Sequence, residues 1–150
     1  MDRLLLVIAL AGVAGAVAAV VRQRSSVDAP TQTSWSVPTQ LDRADFAGPD
    51  APWLVAVFSS ATCLSCQGTW EKVMPLASDE VAVDDIEAVA RRAVHDKYRI
   101  DAVPCVVVAD AEGVVRASFL GEPSTADLWA SLAEIRQPGS VPPGCDHGMT

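Results

Sequence analysis

The stretch "WLVAVFSSATCLSC", residues 53–66, constrains the fold more than any other part of the chain. Residues 53–59 form a continuous apolar run of strand length. A strand without polar alternation is buried on both faces, and that requires helical layers above and below a sheet. The run breaks into two serines and an alanine and then presents Cys63 and Cys66, separated by Leu64 and Ser65. The sequence therefore places two thiols at a strand-to-helix junction. Such a pair can work as a redox couple, as half of a metal site, or as inert filler.

The elements after it alternate. A helix is expected over residues 64–74, closing near Pro75, with Leu64, Trp70, Val73 and Met74 available for packing. Residues 80–86, "EVAVDDI", alternate with period two and read as a strand, and residues 87–100 return to helical spacing. Residues 103–110, "VPCVVVAD", are a second apolar strand, "AEGV" at 111–114 is a hairpin turn, and its partner strand runs to Leu120. Ser124 or Thr125 caps a last helix whose Leu128, Trp129, Leu132 and Ile135 form one apolar stripe. Strand, helix, strand, helix, strand, strand, helix is the order of an α/β fold: a mixed central sheet with helices on both faces.

The ends belong to other regimes. Residues 4–21, "LLLVIALAGVAGAVAAVV", hold no charge or amide and are bracketed by Arg3 and by Arg22 and Arg24. As a helix they span about 27 Å, against roughly 30 Å of bilayer hydrocarbon. Residues 1–24 are expected to be a single-pass transmembrane anchor in contact with membrane lipid. A cleaved signal peptide, with "AVA" at 16–18 as its site, and a buried core helix are the alternatives. One arginine before the segment and two after it lean toward a cytoplasmic domain, and the charged α-amine offsets the lean, so both sides stay open. The Ser-, Thr- and Pro-rich residues 25–36 read as a linker, residues 37–136 as the folded domain, and the Pro- and Gly-dense residues 137–150 as a disordered tail. The composition argues against a nucleic-acid partner, because binding phosphates needs a basic face and the chain has only 11 Lys plus Arg against 19 Asp plus Glu, a net charge of -8.

At a helix start, Cys63 meets unpaired backbone N–H groups and the positive end of the helix dipole, which favour a thiolate. Cys66, one turn later, lies within reach of a disulfide of ordinary geometry. The expected division of labour makes Cys63 the exposed nucleophile and Cys66 the buried, resolving thiol. The only redox group this chemistry requires is the Cys63–Cys66 disulfide itself, with no further cofactor. Zinc is the main competitor. It needs four ligands, and Cys105, Cys145, His95 and His147 form no second cluster of metal-binding spacing. Cys105 reads as a small hydrophobe in an apolar strand, His95 as a solvated residue of a charged helix face, and Trp70 and Trp129 as core. The tail residues Cys145, His147 and Met149 are soft ligands in a flexible terminus, and Trp35 is suited to a membrane interface.

"FSSATCLSC" after an apolar strand, then "IDAVPCVVV" about forty residues on, then a glycine-containing hairpin and a closing helix, resembles the thioredoxin-like family, specifically its membrane-anchored members. The resemblance covers roughly residues 37–136. It implies a three-layer sandwich, a part in cell redox homeostasis, and thiol-disulfide oxidoreductase activity through Cys63 and Cys66. It also implies a cis peptide before Pro104 and a substrate-binding surface made of Thr62, Val103 and Pro104, with the Val103 backbone pairing with an extended peptide. Cys105, after that proline, is a possible third thiol. The implied partners are a cysteine-containing protein substrate or a membrane electron donor. Four positions depart from the family pattern: Thr62 stands where the family has Trp, Leu64 and Ser65 where it has Gly and Pro, and Val57 where it has a buried acid. Without that acid, the Cys66 proton must go to water or to another group. The competing readings are a thioredoxin-like binding module that does not turn over and a metal-handling C-x-x-C protein.

Overall fold

The computed structural model describes residues 36–141. The expected anchor, nearly all of the linker, Trp35, and the tail residues Cys145, His147 and Met149 lie outside them. Among the described residues no helix is long and apolar enough to cross a membrane.

Four strands form one sheet: β1 (Trp53–Ser59), β2 (Val81–Glu87), β3 (Cys105–Ala109) and β4 (Val115–Leu120). The order across it is β2-β1-β3-β4. β2 runs parallel to β1, and β3 and β4 are antiparallel to their neighbours. The helices are α1 (Leu64–Val73), α2 (Arg92–Tyr98) and α3 (Thr125–Arg136). The apolar runs therefore occupy the two central positions, where both faces are covered, and the half-polar β4 takes an edge.

Alternation along the strands sorts the core into two layers. Leu54, Ala56 and Phe58 of β1 pack with Ile86, Cys105, Val107 and Ala109, and with Val94 and Tyr98 of α2. Val55 and Val57 face the other way, with Val106 and Val108, onto Val73 of α1 and Leu128 and Leu132 of α3. Each fully buried side chain of this kind contributes about 1.5–3 kcal/mol through removal from water.

The first layer has a part that periodicity did not indicate. Leu41 and Phe46 enter the core on either side of a 3-10 turn at Arg43–Asp45. Arg43 is buried there, donating to the carbonyls of Asp110 (2.8 Å) and Gly48 (3.0 Å). Leu41 N–H bonds the Gly113 carbonyl at 2.8 Å. Gly113 has φ of +79°, and a Cβ there would lie 2.0 Å from the Leu41 oxygen, so the hairpin turn needs glycine on both counts.

Several expectations need correction. The second helix does not begin at residue 87. β2 continues to Glu87 because its parallel register with β1 extends to Ser59, and residues 88–91 turn before α2 starts. Val89 is left 83% exposed. Leu64 and Met74 point to solvent rather than into the core, and Trp129 is only half-covered. His95 is not solvated: it is 7% exposed, its Nε2 lies 2.8 Å from the Ile86 carbonyl, and its ring meets the Phe58 ring edge-on at 5.2 Å. Asp96 and Lys97 beside it face outward, so the charge run describes only one side of that helix.

Candidate functional site: a cysteine pair at a helix start

β1 delivers the chain to the site. After Ser59 it turns through Ser60–Ala61, where Cys63 N–H bonds the Ser60 carbonyl at 3.0 Å, and Cys63 becomes the N-cap of α1. Its Sγ accepts the Cys66 backbone N–H at 3.2 Å and lies 3.3 Å from Ser65 Oγ. Cys63 and Cys66 are joined by a disulfide with Cα atoms 5.3 Å apart, inside the range such a bridge requires. Cys63 is half-buried and Cys66 is 3% exposed. Cys63 is thus the partly exposed member of the pair and Cys66 the sheltered one. The sulfur at the N-cap sits where donors point outward and where negative charge is favoured.

The remaining expected site residues gather at the same end of the sheet. β3 is antiparallel to β1 with Phe58 opposite Cys105, so the start of β3 lies beside the end of β1. Pro104 is buried there and Val103 half-buried, and the peptide bond between them is cis. The Pro104 carbonyl accepts Gly121 N–H at 2.8 Å, tying this turn to the loop after β4. Thr62 is exposed beside Cys63, its Oγ1 3.3 Å from Ser60 Oγ. Cys105 points into the first core layer as a free thiol, and burial pushes its pKa up to about 12. It is packing, away from the face that carries the pair.

The sequence reading passed over the carboxylates at the end of β2. Glu87 accepts the N–H groups of Ala61 (3.2 Å), Val89 (2.9 Å) and Ala90 (2.8 Å), which staples the loop before Thr62 to the turn before α2. The Ala90 N–H is the main reason its pKa lies below the usual glutamate value; partial burial opposes it, and Ala61 and Val89 add to it. Asp85 Oδ1 accepts the Ser59 hydroxyl at 2.6 Å. Asp85 and Glu87 line, with Ser59, Cys66 and Trp70, an open cleft of about 340 Å³ beside the disulfide. A signal was present in the sequence. In "VAVDDIE" the face that begins with Val81 and Val83 continues with Asp85 and Glu87, and acids on a core-facing register mark where the core ends and a site begins. Among the described residues no group of three or more His, Cys, Asp or Glu is placed to hold a metal ion.

No protein-family model matches the chain, and no curated protein does. Solved structures do match. Thioredoxin-2 of the malaria parasite, described as a component of its protein secretion machinery, is 14% identical, covers 55% of this chain and 82% of its own, and superposes with a TM-score of 0.50. The fold is thioredoxin-like. A mutant thioredoxin from Halobacterium salinarum (26% identical, 58% of this chain and 76% of that one, TM-score 0.49) and the thioredoxin of Fasciola hepatica (22%, 56% and 81%, 0.49) are also similar. The thioredoxin-like fold of this chain carries its bonded cysteine pair at the start of α1, at the same end of the sheet as the Val103–Pro104 turn.

Proposed function

We propose that the protein is a thiol-disulfide oxidoreductase exchanging disulfides with cysteine-containing protein partners through Cys63 and Cys66. The observation that carries this reading is the bonded pair at the N-cap of α1, with Cys63 partly exposed and Cys66 buried. In the reducing direction the Cys63 thiolate attacks a partner disulfide, forming a mixed disulfide and releasing one partner thiolate. Cys66, as thiolate, then attacks Cys63 Sγ, restoring the internal disulfide and releasing the second partner sulfur, which takes up a proton. Two electrons pass to the partner, and a reductant, here a membrane electron donor, returns them. The pair is the only redox group this requires. The cleft end of the sheet supports substrate contacts from Thr62, Val103 and Pro104, with the Val103 backbone laid along an extended peptide. The anchor at residues 1–24 would hold this chemistry at a membrane.

The bonded state favours redox exchange over metal handling, because disulfide sulfurs lack the thiolate charge that binds zinc. The test is reduction of insulin disulfides by dithiothreitol with catalytic amounts of protein. Wild type should accelerate it and Cys63→Ser should not. If wild type is no faster than Cys63→Ser, the non-turning-over binding module takes its place.

A further inference from the structure

We propose that Asp85 is the proton acceptor for Cys66, working through water in the cleft; the inference rests on the exchange reaction described above. Cys66 must lose its proton to attack Cys63, and a thiol buried to 3% exposure does not ionise readily unaided. Side chains at paired positions of parallel strands share a face, and Asp85 pairs with Val57 while Glu87 pairs with Ser59. Val57 lies in the core layer under α1. Asp85 and Glu87 therefore face α1, and both line the cleft that Cys66 lines. The acid absent at position 57 is supplied from the neighbouring strand.

Three titratable carboxylates border this cleft: Asp85 and Glu87 from β2 and Glu71 from α1, while Ser59, Ser60 and Ala61 add none. Glu87 has both oxygens engaged by backbone N–H groups and holds the loop. Glu71 and Asp85 are both exposed, and among the described residues no hydrogen bond fixes the Glu71 carboxylate at the cleft. Asp85 is held by the Ser59 hydroxyl through Oδ1, and its Oδ2 has no hydrogen bond among the described residues. That leaves one oxygen of a cleft-lining carboxylate with capacity to accept. A cleft of about 340 Å³ that is open to solvent and carries the Ser59 hydroxyl and the Asp85 and Glu87 carboxylates on its walls has room for several bridging waters. In resolution the Cys66 S–H proton passes through water to the Asp85 carboxylate, the Cys66 lone pair forms the bond to Cys63 Sγ, and the bond from Cys63 to the partner sulfur breaks. In the opposite direction Asp85 returns the proton to Cys66 as it leaves.

The experiment uses the reduced protein in a Cys145→Ser background with dithionitrobenzoate, followed by stopped flow from about pH 5 to about pH 9. Attack by Cys63 releases one chromophore and resolution by Cys66 releases the second, so the two steps are read separately. Asp85→Asn should leave the first release unchanged and slow the second about ten-fold or more near pH 7. The gap should close toward the alkaline end, where hydroxide ionises the thiol directly. Ser59→Ala should reproduce part of the loss, and Glu71→Gln should follow wild type. The assignment is overturned by an Asp85→Asn second phase within about two-fold of wild type throughout, by a loss constant at every pH, which a structural role would give, or by Glu71→Gln carrying the effect. If wild type shows no second release, the exchange reading itself fails, a result distinct from all of these.

Discussion

Val57 marks the place where a carboxylate under α1 would be expensive. It is 0% exposed, held between Val55, Val106, Val108 and the side chains of α1 and α3. Val57→Asp should remove about 1.5 kcal/mol or more of apolar burial. Inserting even a neutral carboxyl without a partner adds about 1–3 kcal/mol. The loss near pH 4 is then about 2.5–4.5 kcal/mol, a large part of the roughly 5–15 kcal/mol that holds a domain folded. The dependence on pH has a definite sign. Burial and the neighbouring Asp85 both raise the introduced carboxyl above its unfolded value near 3.9, so its neutral form is favoured in the folded state. The variant is least damaged below that value. It loses up to about 1.4 kcal/mol further per pH unit as pH rises, until the folded group ionises. Urea unfolding of variant and wild type at about pH 4, pH 5.5 and pH 7 measures the difference. A difference that stays flat across this range, or below about 1 kcal/mol throughout, refutes the placement of Val57 in a dry core.

Two further predictions concern the surroundings of the pair. Glu87 titrates below the ordinary glutamate range, so its staple contributes above the unfolded value near 4.3 and is lost only as pH falls through the lower folded value. The amide resonances of Ala61, Val89 and Ala90 should therefore shift together with one midpoint below about 4.3; separate midpoints, or one above that value, would contradict a shared carboxylate. Cys105 should resist alkylation in the native reduced protein at mildly alkaline pH and react once denaturant is added, since its thiol is buried and pushed up to about 12. Peptide mass mapping reads this, and rapid native labelling of Cys105 would place it at the surface.

How much of this was legible depended on where one physical signal dominated. β1 and β3 are continuous apolar runs, β4 alternates, and the Ser124 cap with its apolar stripe set α3, so pattern and packing agreed. The cysteines were legible because spacing and the preceding strand fixed them at a helix start. The sequence misled where two elements competed for the same residues. Ala88 and Val89 suit a helix, but pairing with Ser59 and the hydrogen bonds to Glu87 end the strand later. His95 looked polar by its neighbours and is buried because Phe58 and the Ile86 carbonyl suit both its ring and its nitrogen. Residues 39–48 have no period at all, since Leu41, Arg43 and Phe46 are held by tertiary contacts rather than by a regular element. Asp85 was missed because a strand read by period alone does not say which helix lies over it.

The antiparallel pairing of β1 with β3 carries one more implication. Cysteine and proline lie some forty positions apart in the chain and come to the same end of the sheet only because Phe58 stands opposite Cys105. Deleting one residue anywhere from Val106 to Val108 would turn the inner strand over like a zip closed one tooth out. Valines meant for one layer would press into the other, and the proline would retreat by about 3.4 Å from the rim where the sulfurs wait. Changes of length are consequently tolerable in the loops and ruinous in the two middle strands.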